Sequence, residues 1–297
     1  MRLSEYFNAG ISPVGKVFLN GDKAPVKVIA YNDASQTYTI QKVGHAATYS
    51  INPTVDWEEL HMRKFKMEPD WYGDDIKMYK KKTITLEEGV TVLVGCNGIG
   101  KTTMLHQLEA QLKKKKIPVL MFDNLHEGGS KSMSSAAFNG DWAFAATAMA
   151  SSEGENIVMN VGQLASILRH FIETGEVVKQ SERIHRAFAK AVWGDKFEAP
   201  ESKERWLLLD AIDSGLSVDN VVDIKEQLFK TILEHKGDKE VYIVITANAY
   251  EMARGEQCFD VYNGKYVKLK TYEAYRKLIL KTREMKNQRY AHSEASG

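Results

Sequence analysis

The chain has 297 residues, and its 40 Lys and Arg against 39 Asp and Glu give a formal net charge of +1. This balance argues against a protein built around a large nucleic-acid-binding surface, and 43% hydrophobic residues exclude a largely disordered chain. Two cysteines, Cys96 and Cys258, are too few for a disulfide framework. No apolar run reaches the roughly 18 to 20 residues of a membrane span, and residues 1–18 lack the unbroken apolar stretch that is typical of a signal peptide. We therefore expect a cytoplasmic protein without a membrane span.

Residues 1–80 predict a small β-rich, barrel-like N-terminal domain and a linker. Residues 14–19, 26–31, 37–43 and 48–51 are short runs of apolar, β-branched and aromatic residues, separated by turn sequences. Four or five strands this close together indicate a small barrel or an open sheet. Such a domain binds nucleic acid, a protein partner, or nothing beyond its own core, and the sequence leaves these alternatives open.

From residue 81 the pattern changes to strands that alternate with helices. Apolar runs typical of strands buried on both faces lie at 90–94, 119–122, 206–209 and 241–245. Helical spacing of apolar residues lies at 102–113, 156–172, 184–192 and 219–235. We predict an α/β domain with a parallel-rich sheet over residues 81–285, and a loose polar tail over 286–297.

Residues 95–102 read G-C-N-G-I-G-K-T and satisfy the phosphate-loop pattern G-x-x-x-x-G-K-[ST]. They follow a predicted strand and open a predicted helix, which is the context that this chemistry needs. Glycines let backbone N–H groups approach phosphate oxygens, and the helix N-terminus favours negative charge. We expect Lys101 to bind the β- and γ-phosphates and Thr102 to coordinate Mg²⁺.

A second signal lies at Asp210, which ends the apolar run 206–209. A carboxylate at the carboxyl edge of a parallel sheet, beside a phosphate loop, is well placed to hold Mg²⁺ or its water shell. The two features together predict a Mg-nucleotide site.

Four segments resemble the ABC-type ATPases, a group that includes the SMC-like and RecF-like repair proteins. Residues 95–105 are similar to the family's loop G-x-N-G-x-G-K-[ST]-T-L-L, and residues 207–217 to L-L-L-D-E-P-T-S-G-L-D. Residues 151–155, S-S-E-G-E, resemble the signature of repair-type members, and residues 259–267 the closing hairpin. The resemblance covers residues 78–280 and leaves no room for a coiled coil between Lys101 and Ser152.

The resemblance implies a P-loop ATPase core that binds ATP and Mg²⁺ and forms a head-to-tail homodimer. Each ATP would contact the loop of one subunit and Ser152 of the other. Tyr79 would contact adenine, with Trp71 and Tyr72 as alternatives, and Thr102, Asp210 and Asp123 would serve the metal. The nucleotide-binding residues of the loop would be Gly95, Asn97, Gly98, Gly100, Lys101, Thr102 and Thr103.

Two catalytic positions depart from the family pattern. Ala211 stands where the family has its catalytic glutamate, and Ala247 where it has a switch histidine. Alanine cannot polarise an attacking water, so Asp213 becomes the candidate base and Asn248 a candidate hydrogen-bond donor to phosphate or water. Ser152 also precedes Asp210 by 210 − 152 = 58 residues, which indicates a helical insertion at 175–202 or means that Ser152 is not the signature serine.

The leading hypothesis is an ATPase that uses Mg-ATP binding and slow hydrolysis to control dimerisation and the engagement of a partner or nucleic acid. The N-terminal domain is the candidate protein-binding part, and the net charge does not support nucleic-acid binding. One alternative is a non-hydrolysing, ATP-gated interaction protein, which the two alanines motivate. Another is a P-loop nucleoside or nucleotide kinase, against which the S-G-L segment at 214–216 stands.

Overall fold

The computed structural model describes residues 1–22, 24–43, 45–55, 57–68, 78–123, 165, 167–176, 201–214 and 216–294. The chain divides into two compact units, Met1–Arg63 and Lys64–Gly297, so the boundary precedes residue 80, where the sequence predicted it. The reason is local packing. Phe65 lies edge to face on Trp206, with ring centroids 5.1 Å apart, and the amide of Gln107 exchanges two hydrogen bonds with the backbone of Glu68.

The first unit is an antiparallel sheet with one short helix. Helix α1 (Leu3–Asn8) precedes strands β1 (Val17–Leu19), β2 (Pro25–Asn32), β3 (Thr37–Lys42), β4 (Thr48–Ile51) and β5 (Glu58–Glu59). The strand order is β4-β3-β2-β1-β5. Within the described residues β4 and β5 are the edges, and the two-residue β5 pairs with β1 alone. The expected barrel-like domain is therefore an open sheet, with a core of Leu3, Phe18 and Val28.

The second unit is a mixed α/β structure around a six-stranded sheet. The unit contains strands β7 (Thr83–Glu87), β8 (Gly89–Val94), β9 (Val119–Asp123), β10 (Glu204–Asp210), β11 (Glu240–Thr246), β12 (Gln257–Asp260) and β13 (Lys265–Val267), and β6 (Met62–Lys66) begins two residues before the unit boundary. The order is β13-β12-β8-β11-β10-β9, with β6 and β7 forming a separate ribbon. Strands β12, β8, β11, β10 and β9 are parallel and β13 is antiparallel, which confirms the prediction of a parallel-rich sheet.

Helices cover both faces of this sheet. They are α2 (Lys101–Lys114), α3 (Val218–Asp223), a π-helical stretch (Ile224–Phe229), α4 (Lys230–Glu234), α5 (Tyr250–Ala253) and α6 (Tyr272–Glu294). Residues 167–174 are also helical and carry the second half of the predicted helix 156–172. The predicted helix 184–192 and most of the insertion at 175–202 lie outside the described residues. Among the described helices, none combines the length and apolarity that a bilayer crossing requires.

Residues 286–294 of the predicted loose tail are helical, because α6 continues to Glu294. They contain no glycine or proline, and five of the nine (Lys, Gln, Arg, Ala and Glu) have high helix propensity. A polar composition is therefore compatible with a helix here.

Alternation along the central strands builds a separate core on each face. In β10, Leu207 and Leu209 pack with α3 and the end of β11, whereas Trp206 and Leu208 pack with α2. Trp206 stacks on Tyr242 of β11, with centroids 4.0 Å apart and an interplanar angle of 3°. Burial on both faces explains why these strands are continuous apolar runs in the sequence. Because β8, β11 and β10 are parallel neighbours, their carboxyl ends lie at the same edge of the sheet.

The lysine run at 113–116 forms the exposed end of α2. Lys116 has a φ of 55°, and the N–H of Ile117 reaches back to the carbonyl of Leu112. This is the left-handed helix end that favours glycine, since a Cβ costs free energy there.

Replacing Lys116 by glycine is expected to stabilise the protein by about 1 kcal/mol, because the strain of a left-handed residue is removed. The control is Lys115→Gly, at a φ of −92°, where the same change should destabilise by a similar amount. Urea denaturation of both variants measures the difference. A loss of stability in Lys116→Gly would contradict the assigned helix end.

Candidate functional site

The glycine-rich loop (residues 95–102) connects the end of β8 to the start of α2. Gly98 and Gly100 have φ values of 75° and 111°. A Cβ on Gly100 would lie 2.9 Å from Cε of Met78 and 3.3 Å from the ring of Tyr79. Both the backbone conformation and the close packing therefore require glycine at position 100.

Lys101 turns its side chain back into this loop. Its Nζ donates hydrogen bonds to the carbonyls of Gly95, at 2.9 Å, and Cys96, at 3.5 Å. The side chain is buried, and burial lowers the pKa of Lys101, while the nearby Cys96, Asp213 and Asp210 offset part of that effect. Among the described carboxylates none forms an ion pair with it. A cation is thus held in a concave backbone loop with carbonyl oxygens as its partners.

The other loop residues differ in exposure. Thr102 and Asn97 are exposed, so their side chains are accessible to a ligand, whereas Thr103 is buried in the first turn of α2. Thr102 lies at the helix N-terminus, where its hydroxyl is free to bind a cation that accompanies a bound anion.

Asp210 is fixed by a residue to which the sequence assigned no role. The hydroxyl of Thr246, at the end of β11, donates to Oδ1 of Asp210 at 2.5 Å and accepts from the N–H of Ala211 at 2.7 Å. Because β11 lies between β8 and β10, Thr246 stands between the loop and Asp210. The sequence offered one indication of this role, because Thr246 is a polar residue at the end of an otherwise apolar strand.

Asp213 is buried three residues further on. Its Oδ2 accepts hydrogen bonds from the backbone N–H groups of Asn248 and Ala249, at 2.7 and 2.6 Å. Its Oδ1 is also buried and has no hydrogen-bond partner among the described residues. Burial raises the pKa of Asp213, and the two N–H groups and Lys101 counteract part of that rise. The free oxygen and the raised pKa make Asp213 a stronger base than an exposed aspartate.

The two alanines offer no such chemistry. Ala211 has a φ of 50° and is buried, and its N–H is occupied by Thr246. Ala247 is also buried, while the side chain of Asn248 is exposed and its Nδ2 lies 3.3 Å from Oγ of Ser214. Asn248 is therefore near Asp213 and open to solvent, as expected of a residue that contacts a ligand.

The last helix, α6, contributes three contacts that the sequence did not predict. Oγ1 of Thr282 accepts from the N–H of Cys96 at 3.0 Å, and Nζ of Lys286 donates to the carbonyl of Asn97 at 3.0 Å. The hydroxyl of Tyr275 donates to the carbonyl of Asn248, also at 3.0 Å, and burial raises the pKa of Tyr275 to about 12. Helix α6 thus supports both the loop and the segment that holds Asp213.

Tyr79 is buried beneath the loop, and its hydroxyl donates to the carbonyl of Gly100 at 2.9 Å. This contact gives Tyr79 a supporting role, and the adenine contact stays a prediction. Ser152, Trp71 and Tyr72 lie outside the described residues. Asp123 ends β9 in register with Asp210, but nothing is described of its side chain. No cluster of three or more His, Cys, Asp or Glu residues suited to a metal occurs in the described ranges.

Substituting Thr246 by valine keeps the shape and removes both hydrogen bonds. The variant should lose about 2 to 3 kcal/mol of unfolding free energy, because Asp210 and the N–H of Ala211 lose their partner in a buried setting. Thr246→Ser retains the hydroxyl and should lose less. Urea denaturation measures both, and an equal loss would show that the methyl group matters rather than the hydrogen bonds.

The pKa of Asp213 predicts a pH dependence of stability. Since burial raises this pKa, the folded state binds the proton more tightly than the unfolded state. The resulting stabilisation is complete below the unfolded-state pKa and is lost as pH rises through the folded-state pKa. Asp213→Asn cannot ionise, so its stability relative to wild type should increase as the pH is raised from about 4 towards 7.

Urea midpoints across this pH range measure the effect. Asp238→Asn is the control, since salt bridges from Lys239 and Lys203 lower the pKa of exposed Asp238 to about 2 and predict a smaller trend of opposite sign. A stability difference for Asp213→Asn that does not grow with pH would contradict the prediction.

Comparison of the chain with protein-family models and with curated proteins finds no match. Assignment of a function therefore depends on the chemistry of this site.

Proposed function

We propose that this protein is an ABC-type P-loop ATPase that binds Mg-ATP and uses binding and slow hydrolysis to control dimerisation and the engagement of a partner. The observation that carries the proposal is the buried ammonium of Lys101, whose hydrogen-bond partners are carbonyls of its own loop. A buried cation without a counter-charge in contact is costly, and an anion in the loop would offset that cost. Phosphate is the anion that a glycine-rich loop followed by a helix N-terminus binds best.

The residues around the loop fit Mg²⁺ as well as the nucleotide. The exposed hydroxyl of Thr102 and the carboxylate of Asp210 are oxygen ligands, and the bond to Thr246 uses only Oδ1 of Asp210. Mg²⁺ bound with a nucleotide takes most of its ligands from phosphates and water, so a site with few protein ligands is expected. When bound, Mg²⁺ would neutralise charge on the phosphates.

Asp213 is the proposed base. Its Oδ1, which is buried and has no hydrogen-bond partner among the described residues, would accept a proton from a water admitted to this position, and two backbone N–H groups fix the carboxylate. Asn248 would orient the water or a phosphate oxygen through its exposed amide. This pair would replace the family glutamate and switch histidine, whose positions are Ala211 and Ala247.

The proposed homodimer is based only on the resemblance to ABC-type ATPases. In that dimer, Ser152 of the second subunit would contact the ATP bound to the loop of the first. The N-terminal unit, with its exposed edge strand β4, is the proposed site for a protein partner. The two free, buried cysteines, Cys96 and Cys258, are consistent with a cytoplasmic setting.

A second candidate function is an ATP-gated interaction protein that does not hydrolyse ATP. It is favoured by the buried methyl groups of Ala211 and Ala247 at the two positions where the family carries catalytic side chains. ATP would then produce a stable dimer or partner complex that does not decay.

The test of nucleotide binding compares wild type with Lys101→Met. Removing the ammonium should weaken Mg-ATP binding about tenfold or more, since hydrogen bonds to charged groups are among the strongest in proteins. Lys114→Met, at the exposed end of the same helix, is the control and should bind normally. Titration calorimetry measures the affinities. Wild type that does not bind Mg-ATP would refute both candidate functions.

Phosphate release and size-exclusion chromatography on one sample separate the candidates. Slow release that falls in Asp213→Ala supports the ATPase, whereas an ATP-induced complex without release supports the gated protein. Transfer of labelled phosphate to a nucleoside would favour a kinase instead.

A further inference from the structure

Lys286 brings a second ammonium group to the glycine-rich loop from the far end of the chain. Its Nζ donates to the carbonyl of Asn97 and lies 3.5 Å from the point where a Cβ on Gly98 would stand. Residues 97 and 98 are exposed, as is Thr102 at the start of α2. The cation therefore lies where the backbone of the loop is accessible to a ligand.

The position of Lys286 is fixed by the helix that carries it. Thr282, one turn earlier in α6, accepts the N–H of Cys96 and is fully buried. Residues four apart in a helix lie on the same face, so Thr282 anchors the side of α6 from which Lys286 extends. The lysine is thus presented to the loop by a rigid element.

The carbonyl of Asn97 accepts a hydrogen bond from Lys286. Among the described residues no carboxylate forms an ion pair with the Lys286 ammonium. An ammonium group has three N–H donors, so two remain for a ligand. Three residues further on, Arg289 lies 5.6 Å from the ring centroid of Tyr262, and its Nε and Nη2 are buried without a partner in the described part of the chain. This end of α6 is therefore electropositive and suited to a polyanion.

We propose that Lys286 is a second phosphate-binding cation of the nucleotide site, contributed by α6 in the same subunit. The proposal rests on the proposed function, and it adds that the phosphate chain is held between Lys101 of the loop and Lys286 of the last helix. The contact depends on charge, so its contribution to affinity grows with the number of phosphates on the ligand.

The test measures the affinities of full-length wild type, Lys286→Met and Lys286→Arg for ATP, ADP and AMP. Lys286→Met should weaken ATP binding about tenfold or more, ADP binding less and AMP binding least. Lys286→Arg should restore most of the affinity, because it keeps the charge. Lys281→Met is the matched control, since Lys281 is an exposed lysine of the same helix with no recorded contact to the loop.

Thermal denaturation separates a binding role from a structural one. An unchanged melting temperature with weakened ATP binding supports the proposal. ATP affinity in Lys286→Met equal to that of wild type would overturn this proposal and leave the proposed function intact. An equal loss for all three nucleotides, without rescue by arginine, would also overturn it. Wild type that binds no nucleotide would overturn both proposals.

Discussion

The site depends on one electrostatic constraint, which is the burial of the Lys101 ammonium with no carboxylate of the described residues in contact. Two backbone carbonyls satisfy part of its hydrogen-bonding capacity, but they do not neutralise its charge. Asp210 and Asp213 are near enough to raise the pKa of Lys101 against the effect of burial, yet each is engaged elsewhere. This arrangement lowers the free energy of unfolding, because a buried charge is not neutralised. An anion bound in the loop would offset that loss.

Two regions distant in sequence from the loop surround the lysine with fixed groups. Thr246 at the end of β11 donates a hydrogen bond to Asp210, and the backbone after β11 donates two hydrogen bonds to Asp213. Helix α6 fixes the loop through Thr282 and the same backbone segment through Tyr275. Because α6 contacts both the loop and this segment, it links the two parts of the candidate site.

The sequence predicted what depends on local pattern. The apolar runs that became β8, β10 and β11, and the glycine spacing of the loop, each reflect a short-range rule of burial or backbone freedom. The contacts of α6 follow no such rule, since Thr282 and Lys286 lie more than 180 residues from the loop positions that they bond. The open first sheet likewise depends on how the strands of the N-terminal unit pair. The sequence shows that a polar residue, Thr246, ends an apolar strand. Its position next to Asp210 depends on the strand order, in which β11 is the neighbour of β10.

On the proposed function, the charges of Lys101 and Asp213 would also connect binding to catalysis. The positive charge of Lys101 favours the ionised form of Asp213 and so restrains the rise of its pKa. On the proposed function, a phosphate bound to Lys101 introduces negative charge beside the same carboxylate and removes that restraint. The proton affinity of Asp213 then increases because the nucleotide is present. Asp213 would thus be most basic when a nucleotide is bound and an attacking water has a phosphate to react with. This increase in proton affinity would compensate, in part, for the absence of a glutamate at position 211.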